Sequence, residues 1–155
     1  MLLYLIRHGE TEFNLQGRVQ GQMDTPLTSL GRMQAEAIAE RMSGIKLDAL
    51  YTSDLERAYN TAKTISGAVG IDPIKNNLLR ERNFGVLQGL TRAEAMEKFP
   101  KAANDWRKND PSARIPEGES TLDVIARCSL FINEIIEKHA DNSVIAAVCH
   151  GGSLR

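Results

Sequence analysis

The chain has 155 residues, 42% of them hydrophobic, with 19 basic against 20 acidic side chains and a formal charge of −1. That is the size of one globular domain able to bury most of its apolar surface, and no run of like charge is long enough for a nucleic-acid or membrane-surface footprint. The first apolar run, Leu2 to Ile6, is far too short for a signal-peptide core or a membrane span, so the expected compartment is the cytoplasm.

The run Leu2-Leu-Tyr-Leu-Ile6 reads as a strand that ends abruptly in Arg7-His8-Gly9. Ligands of open α/β sheets bind beyond the carboxyl ends of the strands, and a glycine there lets the backbone turn and approach a ligand. A loop rich in Gly and Gln, Gln16 to Thr25, leads to a helix from Pro26-Leu-Thr28 to Met42, with Met33, Ala37, Ile38 and Met42 at helical spacing. Leu47 to Tyr51 is a short strand. Ser53-Asp-Leu-Glu56 is a capping-box pattern that predicts a helix through Val69. Ile71 to Lys75 is a further short strand.

Thr91-Arg-Ala-Glu94 is a second capping box, before a short helix ending at Phe99-Pro100. A helical piece over 101–108 and a loop over 109–118 follow. Ser120-Thr-Leu-Asp123 starts a long helix to about His139, with Leu122, Ile125, Ile132 and Ile136 on one face. The last strand, Val144 to Cys149, runs into His150-Gly151-Gly152. Strands alternating with helices predict an α/β, three-layer sandwich with a mainly parallel central sheet and helices on both faces. The expectation is one domain, 1–155, in which 87–119 is a lid or specificity insertion.

Two apolar strands that each end in His-Gly predict two imidazoles, His8 and His150, meeting at one pocket. An isolated His at a strand end more often caps a carbonyl; the duplication, and the guanidinium of Arg7 beside His8, favour an anion site. Arg57 falls in a helix's first turn, where a cation is disfavoured by the helix dipole. The ordinary reading is a solvated side chain held by Glu56 and Asp54; the unfavourable dipole argues against it and for a compensating anion nearby. Cys128 and Cys149 offer neither a disulfide framework nor zinc spacing and read as small buried apolar side chains. His8, His139 and His150 lack metal-ligand spacing, so no metal is expected.

Arg7-His8-Gly9-Glu10-Thr11, Asn14, Gln20-Gly21, Asp24-Thr-Pro-Leu-Thr28 with Gly31, Thr52 to Ala58, Leu79-Arg80-Glu81, Phe84-Gly85, Pro116 to Ser120 and His150-Gly151 occur in that order. The pattern resembles the histidine phosphatase superfamily, in the branch shared by cofactor-dependent phosphoglycerate mutases and small bacterial phosphatases. The resemblance implies His8 as phosphoryl-accepting nucleophile, Arg7 and Arg57 as clamps on the phosphoryl oxygens, and His150 as a hydrogen-bonding imidazolium opposite them. It implies Glu81 as general acid, since the leaving alkoxide needs a proton. Asn14, Gln20, Gly21 and Gly151 are implied as phosphate-binding positions, and Arg82 and Arg92 occupy the places where mutases hold a substrate carboxylate.

The expected activity is hydrolysis of a small phosphorylated metabolite, without metal or other cofactor. A mutase is the alternative, disfavoured because the stretch 101–117 is short and a poorly covered phosphohistidine is open to water. A non-catalytic phospho-ligand-binding module is the third reading, and a homodimer is the default assembly. The chain stops at Arg155, where family members continue with a helix. That helix is expected to cover one face of strand 144–149, so a shortened chain or a partner subunit on that face is the corresponding expectation.

Overall fold

A computed structural model describes residues 1–108 and 110–154; Asn109, at the start of the expected 109–118 loop, and Arg155 lie outside the described residues. Four strands, β1 (Leu2–Arg7), β2 (Ala49–Thr52), β3 (Ile74–Lys75) and β4 (Val144–Cys149), form one sheet in the order β1-β4-β2-β3, and every pairing is parallel. The register pairs Arg7 with Cys149 and Thr52 with Val148. The segments that follow β1, β2 and β4 therefore emerge side by side at one carboxyl edge of the sheet.

Helices cover both faces of this sheet. On one side α2 (Ser29–Met42) and α3 (Glu56–Val69) pack Ala39, Met42, Ala58, Ala62 and Ile65 against Ile6, Leu50, Ala146 and Val148. On the other, Phe131 and Ile135 of α6 (Thr121–Lys138) pack against Ala49, Tyr51, Ile145, Ala147 and Cys149. The alternation follows from the strand's period of two, and β4 is apolar along its whole length because both of its faces are covered. The expected three-layer arrangement is present. A bare face on strand 144–149 is not: α6 occupies it, and exposed apolar side chains lie elsewhere, at Leu2 and Leu5 of β1 and on the outer side of α6.

The segment between β3 and α6 contains α4 (Arg92–Lys98) and α5 (Pro100–Arg107), after the short α1 (Glu12–Leu15) at the start of the chain. Leu87, Ala95, Ala102, Ala103 and Ile115 close around Val19 as a small core of their own, with Phe84 and Trp106 packed on it. The capping box predicted at Thr91/Glu94 forms, and the helix start expected at Ser120 is closed by a further box with Asp123.

Local patterns fail in three places. In α2 the buried side chains are Ala35, Ala39 and Met42, while Met33 is exposed. In α6 the stripe Leu122, Ile125 and Ile136 is exposed and Val124, Phe131 and Ile135 are buried, because the sheet lies on the side Phe131 and Ile135 project towards. The Ser53/Glu56 box does not form. Ser53 is still held by β4, its N–H donating to Val148 O, and α3 starts at Glu56 after an N-cap Leu55 that makes no side-chain cap bond. The donor at Glu56 N is satisfied instead by Asp24 Oδ2, at 3.0 Å, from the loop before α2.

Candidate active site

β1 and β4 are hydrogen-bonded neighbours, so the residues that follow them meet. The rings of His8 and His150 lie 5.0 Å apart, tilted by 58°. Gly9 lets β1 turn tightly under the start of α2: a Cβ at Gly9 would overlap the backbone of Gly31, and a Cβ at Gly31 would overlap that of Glu10. Two glycines at one crossing allow the two backbones to touch. Gly9 N–H donates to Thr61 Oγ1 of α3, at 3.2 Å, which fixes the His8 turn to the next helix.

His8 is 7% exposed. Its Nδ1 is 2.7 Å from the Gly9 carbonyl, which can only accept, so Nδ1 carries the hydrogen and Nε2 presents a lone pair. Burial, with the charges of Arg57 and Arg7 adding to it, lowers the pKa of His8 from 6.5 to about 4, against the opposing pull of the Gly9 carbonyl. The imidazole is therefore neutral at ordinary pH, the form a nucleophile requires.

Arg57 is 1% exposed, and its guanidinium is held at every nitrogen. Nε–H donates to His8 Nε2 at 3.3 Å, Nη1 to Met23 O at 2.9 Å and Asp24 Oδ1 at 3.1 Å, and Nη2 to Gly21 O at 2.5 Å. Glu56 and Asp54, the partners of the ordinary surface reading, do not hold it. Asp54 is engaged by Arg80, through bonds of 2.8 and 2.6 Å that hold its carboxyl below the usual range. Asp24 thus caps α3 and orients Arg57 at once, and its only sequence signal was its place in the loop motif before α2.

His150 is fully buried, and among the described residues neither ring nitrogen has a hydrogen-bond partner. A buried polar group left without a partner costs about 1–3 kcal/mol. Burial, then the nearby charge of Arg57, pushes its pKa well below 6.5. In the absence of an anion it is neutral, and the expected imidazolium would require a bound one.

Arg7, His8, Asn14, Gln20, Gly21, Arg57, Glu81 and Arg92 line one cavity of about 580 Å³, together with Arg18, Phe84 and Trp106. Most of the candidates from the sequence thus converge. Thr11 Oγ1 lies 3.0 Å from both Asn14 Oδ1 and Gln20 Oε1, so its single hydrogen sits between the two amides. Gly21, at φ +55, places its carbonyl on Arg57. Gly151 adjoins Arg7, with space for a Cβ no nearer than 3.5 Å to Nε. Glu81 accepts from Arg82 N at 2.7 Å through Oε1 and from Gly152 N at 2.9 Å through Oε2.

His150 and Gly151 are not among the residues that line the cavity, and neither is Arg82. The Arg82 guanidinium donates to Glu119 O, Thr121 Oγ1 and Ala113 O at 2.9–3.0 Å, bracing the start of α6 rather than facing the cavity. Arg92 does face it, its guanidinium carbon 5.8 Å from the centre of the Trp106 ring. Arg18 is paired with Glu94 at 2.7 Å. Trp106 carried no sequence signal as a lining residue, since an isolated aromatic in a helical piece looks like core, and Phe84 was visible only as part of the Phe84-Gly85 motif. Among the described residues no group of three or more His, Cys, Asp and Glu side chains is arranged to hold a metal ion, and no helix is long and apolar enough to cross a membrane.

A sheet edge with two neighbouring imidazoles and a buried guanidinium defines an α/β protein with a cationic site at the carboxyl ends of its strands. Residues 3–155 match the histidine phosphatase superfamily (branch 1), and the chain belongs to that family. It is 36% identical over 156 residues to phosphoglycerate mutase-like protein 4 of Arabidopsis thaliana, covering 99% of this chain and 67% of that protein. It is 35% identical to putative phosphoserine phosphatase 2 of Hydrogenobacter thermophilus, covering 98% of this chain and 74% of the relative. Among solved structures, a mycobacterial glucosyl-3-phosphoglycerate phosphatase in complex with VO3 superposes with a TM-score of 0.90 at 36% identity, covering 98% of this chain and 77% of that one.

Proposed function

We propose that this protein hydrolyses phosphomonoesters of small metabolites through a phosphohistidine on His8, with Glu81 as general acid and then general base. The observation that carries the reading is His150: a fully buried imidazole with two nitrogens unpartnered among the described residues, beside a neutral His8 and a buried Arg57. A phosphoryl group between the two rings supplies the acceptors that His150 lacks, and Arg7 and Arg57 balance its charge.

In the first step His8 Nε2 forms a bond to phosphorus as the ester P–O bond breaks, and the Glu81 proton goes to the leaving oxygen to give the alcohol. In the second, water attacks phosphorus, Glu81 takes its proton, and the P–N bond breaks to release inorganic phosphate. The positive charge comes from arginine, so the reading includes no metal and predicts full activity in EDTA. It takes residues 1–155 as one cytoplasmic domain, with 87–119 as a lid that shapes the leaving-group end of the cavity. Arg92, for which no ion pair is found among the described residues, fits a leaving group bearing a second anionic or polar substituent.

The test is release of phosphate from p-nitrophenyl phosphate and from phosphoserine, with and without EDTA, by the protein and by His8→Ala. Turnover abolished in the variant supports the reading; no turnover by the unaltered protein favours a phospho-ligand-binding module. The mutase reading is favoured by relatives named phosphoglycerate mutase-like protein and probable phosphoglycerate mutase, and efficient conversion of 3-phosphoglycerate to 2-phosphoglycerate with a bisphosphate cofactor would put it first. Against it, Arg82 is engaged by the α6 bracing bonds.

A further inference from the structure

Glu81 comes from the irregular segment after β3, and nothing on its own segment but the Arg82 amide holds its carboxyl group. The second anchor is remote in sequence. Gly152 N–H, two residues beyond His150, donates to Oε2 at 2.9 Å. The two segments are stitched together again at Ser153, whose Oγ donates to Arg80 O at 3.0 Å, and Gln22 Nε2 holds the Glu81 carbonyl at 3.1 Å. Each carboxyl oxygen thus takes one backbone N–H and keeps a second lone pair for a proton.

The approach at Gly152 needs the absence of a side chain. A Cβ there would fall well inside van der Waals contact of Glu81 Oε1 and only 3.0 Å from its Cδ. The carboxyl group cannot move aside and keep both amide bonds, because those bonds define its plane.

We propose that Gly152 is a positioning residue for the proton-transfer step: its N–H and its missing side chain together aim the Glu81 carboxyl group at the leaving oxygen. This rests on the phosphohydrolase reading above. The chain segment that delivers the phosphate-facing His150 also aligns the acid, so phosphate grip and proton delivery share one frame. A general acid must come within about 2.6–3.2 Å of the oxygen it protonates, and a misplacement of about 1 Å can cost about a hundredfold.

The test compares kcat/KM, which reports formation of the phosphoenzyme, for two esters. Nitrophenolate departs without a proton, whereas the alkoxide of phosphoserine needs one. Gly152→Ala is expected to lower kcat/KM for phosphoserine by about 30- to 100-fold and for p-nitrophenyl phosphate by no more than about threefold. Adding Gly152→Ala to Glu81→Gln should then cost little more, because the two act through one group. The ratio between the esters is independent of how much of the variant is folded. If Gly152→Ala yields no folded protein, Ser153→Ala, which loosens the same segment, should shift the ratio in the same direction by several-fold. Equal losses on the two esters, or additive losses in the double variant, overturn this inference alone. No turnover of either ester by the unaltered protein overturns the parent reading and this inference with it.

Discussion

Acidification should destabilise this fold well before its carboxylates titrate, and His8 sets the size of the effect. Its pKa is about 4 in the folded protein, held down first by burial and then by Arg57 and Arg7, against 6.5 in an unfolded chain. Between those values the unfolded chain binds a proton that the folded protein does not, so stability is fully present above about pH 6.5 and is lost as pH falls towards 4. The span of about 2.5 units corresponds to about 3 kcal/mol, of which about 2 kcal/mol is lost by pH 5. His150 acts in the same direction, while the depressed carboxyls of Asp54, Glu94 and Asp123 lose their contribution only at lower pH. Urea unfolding at pH 7.5 and 5.0, at fixed ionic strength and without phosphate, should therefore show a steep loss in the protein and a loss smaller by about 2 kcal/mol in His8→Gln. An unchanged pH dependence in the variant would refute the claim that a buried neutral His8 drives it.

Three further outcomes follow from the same geometry. Arg57→Lys removes a fork that satisfies three backbone and side-chain acceptors as well as His8; kcat should fall by about 10²–10³-fold and stability by about 2–4 kcal/mol, read by steady-state kinetics and urea unfolding. Binding of sulfate, a dianion that does not titrate, should draw about one proton onto His150 at pH 7; calorimetry in two buffers of different ionisation heat measures the uptake, and a His150→Gln variant should lose it. Arg92→Met should raise KM about tenfold for phosphate esters with a second anionic group, a loss of about 1.4 kcal/mol, and leave p-nitrophenyl phosphate unchanged.

The sequence by itself determined the features that depend on neighbours along the chain. The boxes at Thr91/Glu94 and Ser120/Asp123 form because a cap is a bond between residues three apart and needs only local backbone. The strand ends at Arg7-His8 and Cys149-His150 were legible because apolar runs broken by His-Gly mark the carboxyl edge of a parallel sheet. Tertiary structure decided whatever depends on what lies opposite. Ser53 stays bound to β4 and α3 is capped by Asp24 from another loop. The outward stripe of α6 is as apolar as the buried one, and only the position of the sheet tells them apart. Arg82 and Arg92 are equivalent as letters, yet the first braces α6 and the second faces the cavity. Long polar side chains are assigned by the acceptors within their reach, and those acceptors come from segments far apart in the chain that only the folded sheet brings together.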